Sequence, residues 1–297
     1  MIVLFTDYGI HDPYVGQLKA RLATEAPGQL VVDLLHAAPD FNAHAGAHLL
    51  AAFAPTFPPG SVFLAVVDPG VGTARHGVVV MAGGRWFVAP DNGLASVLVA
   101  RHADSKVWRI DWLPVALSST FHGRDVFAVI AAEIARGEFP AAKLSECAKL
   151  EVEFEAGDLA RVIYIDHFGN AFTGIRAQTV PVTSRVAANH SEFMHAETFA
   201  LCDKGKGFWF SNSVGLLELA VNRGHAANQF GLSVGTPVQV QKPHQSACLY
   251  QQDDAVVIYI GARRAGNDEI AQCRKKSICI VIFQASLRGN TVCLAAL

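Results

Sequence analysis

Four short apolar runs along the chain each end in an aspartate that lies close to a glycine. The runs are IVLFTDYG from residue 2, VFLAVVDPGVG from residue 62, WFVAPDNG from residue 86 and VIYIDHFGN from residue 162. Continuous apolar runs of this length are typical of strands that are buried on both faces of a sheet. The pattern therefore predicts four buried strands, each followed by a tight turn.

Apolar residues at helical spacing fill the segments between the first strands. They occur in DPYVGQLKARLATEA (12–26), FNAHAGAHLLAAFA (41–54) and GRDVFAVIAAEIARG (123–137). The first helix is expected to begin at Asp12, because Pro13 fits the first position of a helix. Strands that alternate with helices over residues 1 to about 140 predict an α/β domain with a largely parallel central sheet.

The pattern changes after about residue 150, where short strands are interrupted by glycine and asparagine. This predicts a smaller, mainly β second domain. The expected domains are residues 1–145 and 155–245, with the segment 137–154 as the linker. Residues 246–297 form a tail that is basic, then apolar. The tail either supplies edge strands to the second domain or has no functional role, and the sequence leaves both alternatives open.

Composition narrows the possible partners. The chain has 297 residues, of which 51% are hydrophobic, and this is enough for one large domain or two ordinary ones. A net charge of −2 gives no basic surface for a nucleic-acid backbone. No run reaches the roughly 18 to 20 apolar residues of a membrane span. The start MIVLFTDYG lacks the basic region of a signal peptide. We therefore expect a cytoplasmic protein without nucleic-acid or membrane partners.

Several known motifs are absent or incomplete. In DPGVGTAR, Arg75 stands where a dinucleotide-binding loop needs its third glycine, and the next segment is typical of a strand. The six cysteines form no C-x-x-C pair and are interpreted as free thiols. His44 and His48 have the spacing of metal ligands on a helix, but their alanine neighbours favour an ordinary helix face. No metal site is predicted.

Polar residues at strand ends are candidates for a site. In parallel sheets ligands bind beyond the carboxyl ends of the strands, where Asp7, Asp68 and Asp91 are expected. A single aspartate there more often caps a turn or helix. The same alternative applies to STFHGRDVFA, where Thr120 or Asp125 could cap a helix and leave His122 without a role.

Taken together, six ordered motifs resemble the S-adenosylmethionine hydroxide adenosyltransferase family, the hydrolytic relatives of the fluorinase and chlorinase enzymes. The motifs are TDYGIHDPYVGQLK, DPGVGTAR, APDNG, FHGRD, DHFGNAFTGI and NSVGLLELAVNRG, and the resemblance covers residues 2 to 241. It implies an N-terminal α/β domain and a C-terminal β-barrel-like domain. It also implies a homotrimer that binds substrate between one subunit's N-terminal domain and a neighbour's C-terminal domain. The implied reaction uses water to cleave S-adenosylmethionine into adenosine and methionine, without a metal or cofactor.

The resemblance assigns catalysis to Asp68, Arg75 and His122. Halogenating relatives lack the aspartate and the histidine at these places, which argues against halide as the nucleophile. Three alternatives remain: a chlorinase-like adenosyl transferase that uses a halide, a non-catalytic protein that binds S-adenosylmethionine or a nucleoside, and a metal-dependent hydrolase.

Substrate contacts also follow from the resemblance. They are Asp7, Asp12, Phe41, Asp166, Asn170, Phe199 and Ser213. The implied roles are ribose binding for Asp7 with support from Asp12, adenine recognition for Asn170 through both a donor and an acceptor, and contacts to the methionine end for Asp166 and Ser213. Phe41 and Phe199 are expected to contact the nucleoside, with core packing as the alternative for each. Asn212 and Asn222 are interpreted as turn residues.

Overall fold

Residues 1–241 and the strands at 247–252 and 255–260 are described by the structure, a computed structural model. Its first sheet has seven strands in the order β2-β1-β3-β5-β4-β6-β7. They are β1 (Ile2–Thr6), β2 (Val31–Leu35), β3 (Val62–Val66), β4 (Gly77–Ala82), β5 (Arg85–Pro90), β6 (Lys106–Ile110) and β7 (Leu144–Cys147). The adjacent strands β2, β1, β3 and β5 are parallel, and β4, β6 and β7 are added antiparallel. The turn Gly83–Gly84 between β4 and β5 is too short for the crossover that parallel strands need.

Five α-helices accompany the sheets. They are α1 (Pro13–Glu25), α2 (Ala43–Phe53), α3 (Ser96–Arg101), α4 (Ala128–Ala135) and α5 (Ala226–Phe230) among the described residues. A π-helical turn at Gly123–Phe127 leads into α4, and short 3₁₀ turns lie at Ala54–Thr56, Ala141–Lys143, Ala177–Thr179 and Phe199–Leu201. The predicted start of α1 is confirmed, with Asp12 as its N-cap and Pro13 as its first residue.

The helices cover both faces of the first sheet. Leu18 and Leu22 of α1 and Ile130 of α4 are buried in one cluster with Leu4 and Leu64 of the sheet. On the other face, α2 buries seven of its eleven residues. Its cluster includes Ile163 and Leu216, which belong to the second sheet. Helix α2 therefore joins the two sheets through a shared apolar core.

The second sheet is nearly closed into a barrel. Its strands are β8 (Leu159–Ile165), β9 (Ala171–Arg176), β10 (Arg185–Ala188), β11 (Ser191–His195), β12 (Gly207–Ser211), β13 (Leu216–Val221) and β14 (Val238–Gln241). Their order is β14-β10-β11-β12-β13-β9-β8. A bridge between Arg161 and Pro237 and a 2.9 Å hydrogen bond from the Val162 N–H to the Thr236 carbonyl connect its two edges. The predicted mixed α/β fold with a smaller barrel-like part is confirmed.

The predicted linker was wrong in part. Within residues 137–154, β7 pairs antiparallel with β6 and completes the edge of the first sheet. The open edge of β6 offers unpaired backbone groups, which the passing chain satisfies. The domain boundaries 1–145 and 155–245 stay a prediction, since most of both predicted domains lies in one compact unit of residues 1–182 and 186–240.

The predicted tail falls mostly outside the described residues. Its described strands, β15 (Ala247–Gln252) and β16 (Ala255–Ile260), pair antiparallel in a two-stranded sheet that belongs to a second compact unit. Residues 261–297 lie outside the described part. Within the described residues, none of the helices has the length and apolar character needed to cross a bilayer.

Candidate active site

Three aspartates lie at the carboxyl ends of parallel strands of the first sheet. Asp7 follows β1, Asp68 follows β3 and Asp91 follows β5, and these neighbouring strands are parallel. Asp91 is nearly buried, and its two carboxylate oxygens both accept the backbone N–H of Glu151 at 3.1 Å. Asp91 therefore anchors the chain after β7, a structural role that differs from the predicted turn or helix cap. Asp7 and Asp68 line a cavity instead.

Asp68 and Arg75 form a largely buried ion pair. Arg75 Nη2 donates to Asp68 Oδ2 at 2.6 Å, and Arg75 Nη1 donates to the carbonyl of His76. The guanidinium lies 5.5 Å from the centre of the Phe127 ring. Asp68 Oδ1 is buried and, among the described residues, has no hydrogen-bond partner. One oxygen of this carboxyl is therefore held in place, and the other is free to accept a hydrogen bond.

Gly72 brings the Asp68 loop next to the segment that carries His122. Its φ is +81°, and a Cβ there would lie 2.5 Å from the carbonyl oxygen of Ser119. Only glycine permits both this backbone conformation and this approach. The sequence signal is the second glycine of DPGVG, which allows the two loops to approach each other.

His122 precedes the π-helical turn, whose start has no side-chain cap. Asp125 accepts the Ser118 N–H at 2.8 Å and pairs with Arg124 Nε at 2.7 Å. Asp125 thus holds the segment before the helix, while His122 lines the same cavity as Asp68. The alternative in which Thr120 or Asp125 caps this helix start is wrong.

The first cavity has a volume of about 550 Å³. Its lining consists of Asp7, Tyr8, Gly9, Asp12, Tyr14, Asp40, Phe41, Val66, Asp68, Val71, Thr120, Phe121, His122 and Gly123. Five predicted site residues meet here, and Arg75 lies behind Asp68. Phe41 is 77% exposed, and its N–H donates to Asp7 Oδ2 at 3.3 Å. Core packing is therefore wrong for Phe41.

Burial shifts the pKa values of three residues in the first cavity. It raises the pKa of Asp68, with the charge of Arg75 and the backbone N–H of Gly70 opposing the shift. It also raises the pKa of Asp7, with the Phe41 N–H opposing. Burial and the charge of Arg75 lower the pKa of His122 below the ordinary histidine value. His122 is therefore a neutral imidazole at neutral pH and can accept a proton.

Three aromatic residues of the first cavity were missed by sequence analysis. Tyr8, Tyr14 and Phe121 pack with ring centroids 5.5 to 6.1 Å apart. Their rings form an apolar wall beside Asp68 and His122. No periodic pattern marks them, because Tyr8 lies in a turn and Phe121 in a loop, so their meeting depends on the tertiary fold.

The second cavity lies against the barrel-like sheet and has a volume of about 810 Å³. Its lining consists of Asp166, Phe168, Asn170, Phe172, Phe199, Phe210, Asn212, Ser213, Glu218, Val221, Arg223, Gly224 and His225. Four predicted substrate contacts meet here. Phe199 is 38% exposed and contacts Phe208 and Phe210 with centroids 5.0 and 5.4 Å apart. It forms part of the cavity wall and is only partly packed into the core.

Hydrogen bonds connect the polar residues of the second cavity. Asp166 accepts the backbone N–H of Asn170 at 2.8 Å and its side-chain Nδ2 at 3.2 Å. Asn212 Nδ2 donates to Glu218 Oε2 at 3.0 Å. Sequence analysis missed Glu218, although a single carboxylate within the apolar run LLELAV was a usable signal. Burial raises the pKa of Glu218 to about 7.

Asn212 and Asn222, both predicted to be turn residues, differ in their relation to the second cavity. Asn212 is a turn residue, as predicted, but its side chain also lines the second cavity. Asn222 donates to the carbonyl of Cys202 at 2.6 Å and lines neither of the two cavities. The predicted site residues are thus divided between two cavities, and none of them lines both.

The comparisons with known proteins agree with this arrangement. A family model for the N-terminal domain of S-adenosylmethionine (SAM) hydroxide adenosyltransferases matches residues 2–145, and one for the C-terminal domain matches residues 160–239. This chain belongs to the SAM hydroxide adenosyltransferase family. The family model boundaries enclose both cavities.

Relatives from this family are similar to this chain over most of their own length. A protein of Thermus thermophilus named (R)-S-adenosyl-L-methionine hydrolase is 37% identical over 80% of this chain and 98% of its own. One of the same name from Salinispora arenicola is 39% identical over 79% and 95%. A fluorinase of Actinopolyspora mzabensis is 26% identical over 82% and 97%. A conserved protein of Thermotoga maritima, solved by crystallography, superposes with a TM-score of 0.74 at 31% identity, over 82% of this chain and 100% of its own.

The histidines of α2 do not take part in either cavity. His44 stacks on Phe154 at 4.3 Å between centroids, and His48 is buried beside it. Over the described ranges, no group of three or more His, Cys, Asp or Glu side chains is arranged to hold a metal ion.

Proposed function

We propose that this chain hydrolyses S-adenosylmethionine to adenosine and L-methionine, with Asp68, Arg75 and His122 as the catalytic residues. One observation carries the proposal. Asp68 is bound to Arg75 through one oxygen and has a free, buried oxygen in a cavity that it shares with the neutral His122. This arrangement suits the activation of a water molecule, and members of the family carry the name of this hydrolase.

The reaction needs a positioned oxygen nucleophile more than it needs an acid. The water oxygen attacks the ribose 5′ carbon as the carbon–sulfur bond breaks, and the bonding electron pair goes to sulfur. Methionine leaves as a neutral thioether and needs no proton. The remaining demand is to hold the water in line with this bond and to remove its proton.

The three residues divide this task. The free oxygen of Asp68 accepts a hydrogen bond or a proton from the water. Arg75 stays charged and fixes the orientation of the carboxyl through its fork of N–H groups. His122, neutral because its pKa is lowered, accepts the proton or relays it to solvent. An oxygen with anionic character attacks a cationic sulfonium, so both charges decrease in the transition state. A cavity that holds little water therefore favours the reaction.

The division of the site residues between two cavities supports an assembly in which neighbouring subunits complete each site. In this proposal a homotrimer places the first cavity of one subunit against the second cavity of the next. Asp7 and Asp12 then bind the ribose beside Phe41. Asn170 and Phe199 of the neighbour bind adenine, and Asp166 and Ser213 bind the methionine end.

The decisive experiment follows product formation in H₂¹⁸O with a chelator present. We expect equal amounts of adenosine and methionine, with ¹⁸O in the 5′-hydroxyl, and no products from Asp68→Ala. A parallel reaction in chloride tests the halide alternative, which predicts a 5′-chloro nucleoside. Activity that appears only in a parallel reaction without the chelator would contradict metal independence. Tight binding without turnover would favour the binding-protein alternative.

A mixing experiment tests the shared site. Asp68→Asn impairs the first cavity and Asn170→Ala the second, so each variant alone is expected to be weakly active. Random mixing of the two gives about a quarter of the sites both intact halves if neighbouring subunits share each site. The recovery is then about a quarter of wild-type activity after subunit exchange. No recovery in a mixed oligomer would place both halves of the site within one chain.

Two further assignments belong to the proposal. The name of these relatives carries the (R) designation, so we expect the R configuration at the sulfonium to be preferred. Separate assays of the two sulfonium diastereomers test this. The cytoplasm is the expected location, to be checked by fractionation of cells that express the tagged chain.

A further inference from the structure

His36 is a buried histidine that the proposed mechanism does not use. It follows β2, is 7% exposed and lines neither of the two cavities. Its Nδ1 lies 2.9 Å from Oγ1 of Thr6, the fully buried last residue of β1. Asp7 is the next residue of the chain. His36 therefore contacts the strand end that leads directly into the first cavity.

The surroundings of His36 decide the direction of this hydrogen bond. Thr6 Oγ1 accepts the backbone N–H of Tyr8 at 3.3 Å, and its own hydrogen needs an acceptor. Among the described residues, His36 Nδ1 is the only other partner of this hydroxyl. Thr6 therefore donates to Nδ1, and the ring hydrogen lies on Nε2, which is 3.2 Å from Asp33 Oδ1. That contact is not aligned as a hydrogen bond, so the charge of the Asp33 carboxylate alone favours this tautomer.

His36 also binds the turn after β1 through its backbone. Its carbonyl oxygen accepts the N–H of Gly9 at 2.7 Å. The N–H of Asp7 donates to the carbonyl of Val66, at the end of β3, at 3.2 Å. Two of the three N–H groups of the turn at residues 7–9 thus depend on His36, one directly and one through the threonine hydroxyl.

The turn at residues 7–9 forms part of the wall of the first cavity. All three of its residues line that cavity. The hydroxyl of Tyr8 lies against Gly123, the residue after His122. A displacement of the turn would therefore move both the Asp7 carboxylate and the Tyr8 ring relative to the catalytic groups.

We infer that His36 is a positioning residue, which holds the turn at residues 7–9 through Thr6 and through its own carbonyl oxygen in the geometry that binds the substrate. The inference rests on the proposed function, in which Asp7 binds the ribose. A contact that holds a binding group stabilises the bound substrate and the transition state alike. Its loss is therefore expected to raise KM and to leave kcat nearly unchanged.

Two amides at position 36 separate the hydrogen bond from the size of the side chain. The oxygen of an asparagine lies close to the place of Nδ1 and can accept from Thr6, whereas the amide of a glutamine reaches the place of Nε2. For S-adenosylmethionine and the full-length oligomer, we expect KM within about 3-fold of wild type in His36→Asn. In His36→Gln it should rise by about 10- to 100-fold, the range for one unpaired buried polar group. Glutamine is closer to histidine in size, so a purely steric role predicts the opposite order.

A double-mutant cycle tests the path through Thr6. Thr6→Val keeps the branched shape and removes the hydroxyl, so KM should rise by about 10- to 100-fold here too. Because both substitutions remove the same hydrogen bond, the double variant with His36→Gln should be no worse than the weaker single variant. Thr24→Val removes an exposed hydroxyl that donates to the carbonyl of Ala20, and this matched control should keep the wild-type KM.

Hydrogen exchange provides a readout that needs no substrate. The amide of Tyr8 should exchange at least about 10-fold faster in Thr6→Val and in His36→Gln than in the wild type. The amides of β12 and β13 in the second sheet should keep their rates, which separates a local change from a loss of global stability.

Three results would overturn the inference. They are a KM that rises more in His36→Asn than in His36→Gln, effects at positions 6 and 36 that multiply in the double variant, and an unchanged exchange rate of the Tyr8 amide. If His36→Gln does not fold, Thr6→Val and its Tyr8 amide decide. A wild type that binds S-adenosylmethionine without hydrolysing it would contradict the proposed function alone, because the dissociation constant then replaces KM in the same comparison. A wild type that does not bind it would contradict both.

Discussion

The two cavities differ in whether their polar atoms already have partners. In the first, Asp68 Oδ1 is buried without a hydrogen-bond partner among the described residues, and so is Nε of Arg75, which lies behind Asp68. In the second, Asn170 donates to Asp166 and Asn212 donates to Glu218. An unpaired buried acceptor is costly and is kept where a reaction uses it, whereas a satisfied network fixes orientation. The difference indicates that the first cavity carries out the reaction and that the second cavity binds and orients the substrate.

The strongest test of this contrast is Asp68→Asn. The amide keeps the shape of the side chain but removes the proton acceptor, so we expect kcat to fall by about 10³-fold. The dissociation constant of S-adenosylmethionine should change by no more than about 3-fold. Steady-state kinetics and calorimetry measure the two values. A variant that loses binding and keeps kcat would reverse the roles of the two cavities.

The pH profile tests the part played by His122. Because its pKa lies below the ordinary value, the imidazole stays neutral at neutral pH and becomes charged only in acid. We expect kcat/KM to fall by about 10-fold per pH unit on the acid side of this pKa. In His122→Asn the profile should lose this component and keep the one from Asp68. An unchanged acid limb in the variant would remove His122 from the proton path.

Phe199→Ala tests the second cavity alone. Removing this partly exposed ring takes away a stacking surface for the nucleoside, and we expect KM to rise by about 10-fold. The value of kcat should stay within about 2-fold, because the ring does not act on the reacting atoms. Phe210→Ala, on the neighbouring wall, is a useful comparison. A large fall in kcat with unchanged KM would contradict the division between the cavities.

The charge of Glu218 gives the second cavity a pH dependence of its own. Burial raises its pKa to about 7, so the carboxylate predominates above that pH and the neutral acid below it. The neutral acid is a weaker acceptor for the Asn212 amide than the carboxylate, so the affinity of the second cavity for adenosine should fall by about 3- to 10-fold on acidification. Asp166, Arg223 and His225 also line this cavity, and Glu218→Gln, which cannot titrate, separates their effects. A variant with the same pH dependence would assign it to one of these neighbours.

The smallest effect on activity is expected for Asp91→Ala. Asp91 follows β5, which is parallel to β3, but it accepts the backbone N–H of Glu151. Its loss should therefore lower the free energy of unfolding by about 1–3 kcal/mol. The kcat value should stay within about 2-fold of wild type. Urea denaturation beside the activity assay measures both. A loss of activity as large as that of Asp68→Asn would show that strand-end aspartates are not distinguished by their partners.

Much of the fold was accessible from local patterns. The apolar runs gave β1, β3, β5 and β8, and the helical spacing gave α1, α2 and α4, because each pattern reports which side of a local element is buried. The linker was misjudged, since the pairing of β7 with β6 depends on an edge that is distant in sequence. The antiparallel half of the first sheet likewise followed from a short hairpin that the overall alternation did not reveal.

The sequence by itself determined the main helices and buried strands, the family and the identities of the proposed catalytic residues, because these are properties of local order and of motifs. Only the tertiary structure decided which residues share a cavity. It separated Asp68 from Asp91 and added Tyr8 and Glu218. These facts depend on distance and hydrogen-bond direction between residues far apart in the chain, and those quantities exist only after the sheets have packed.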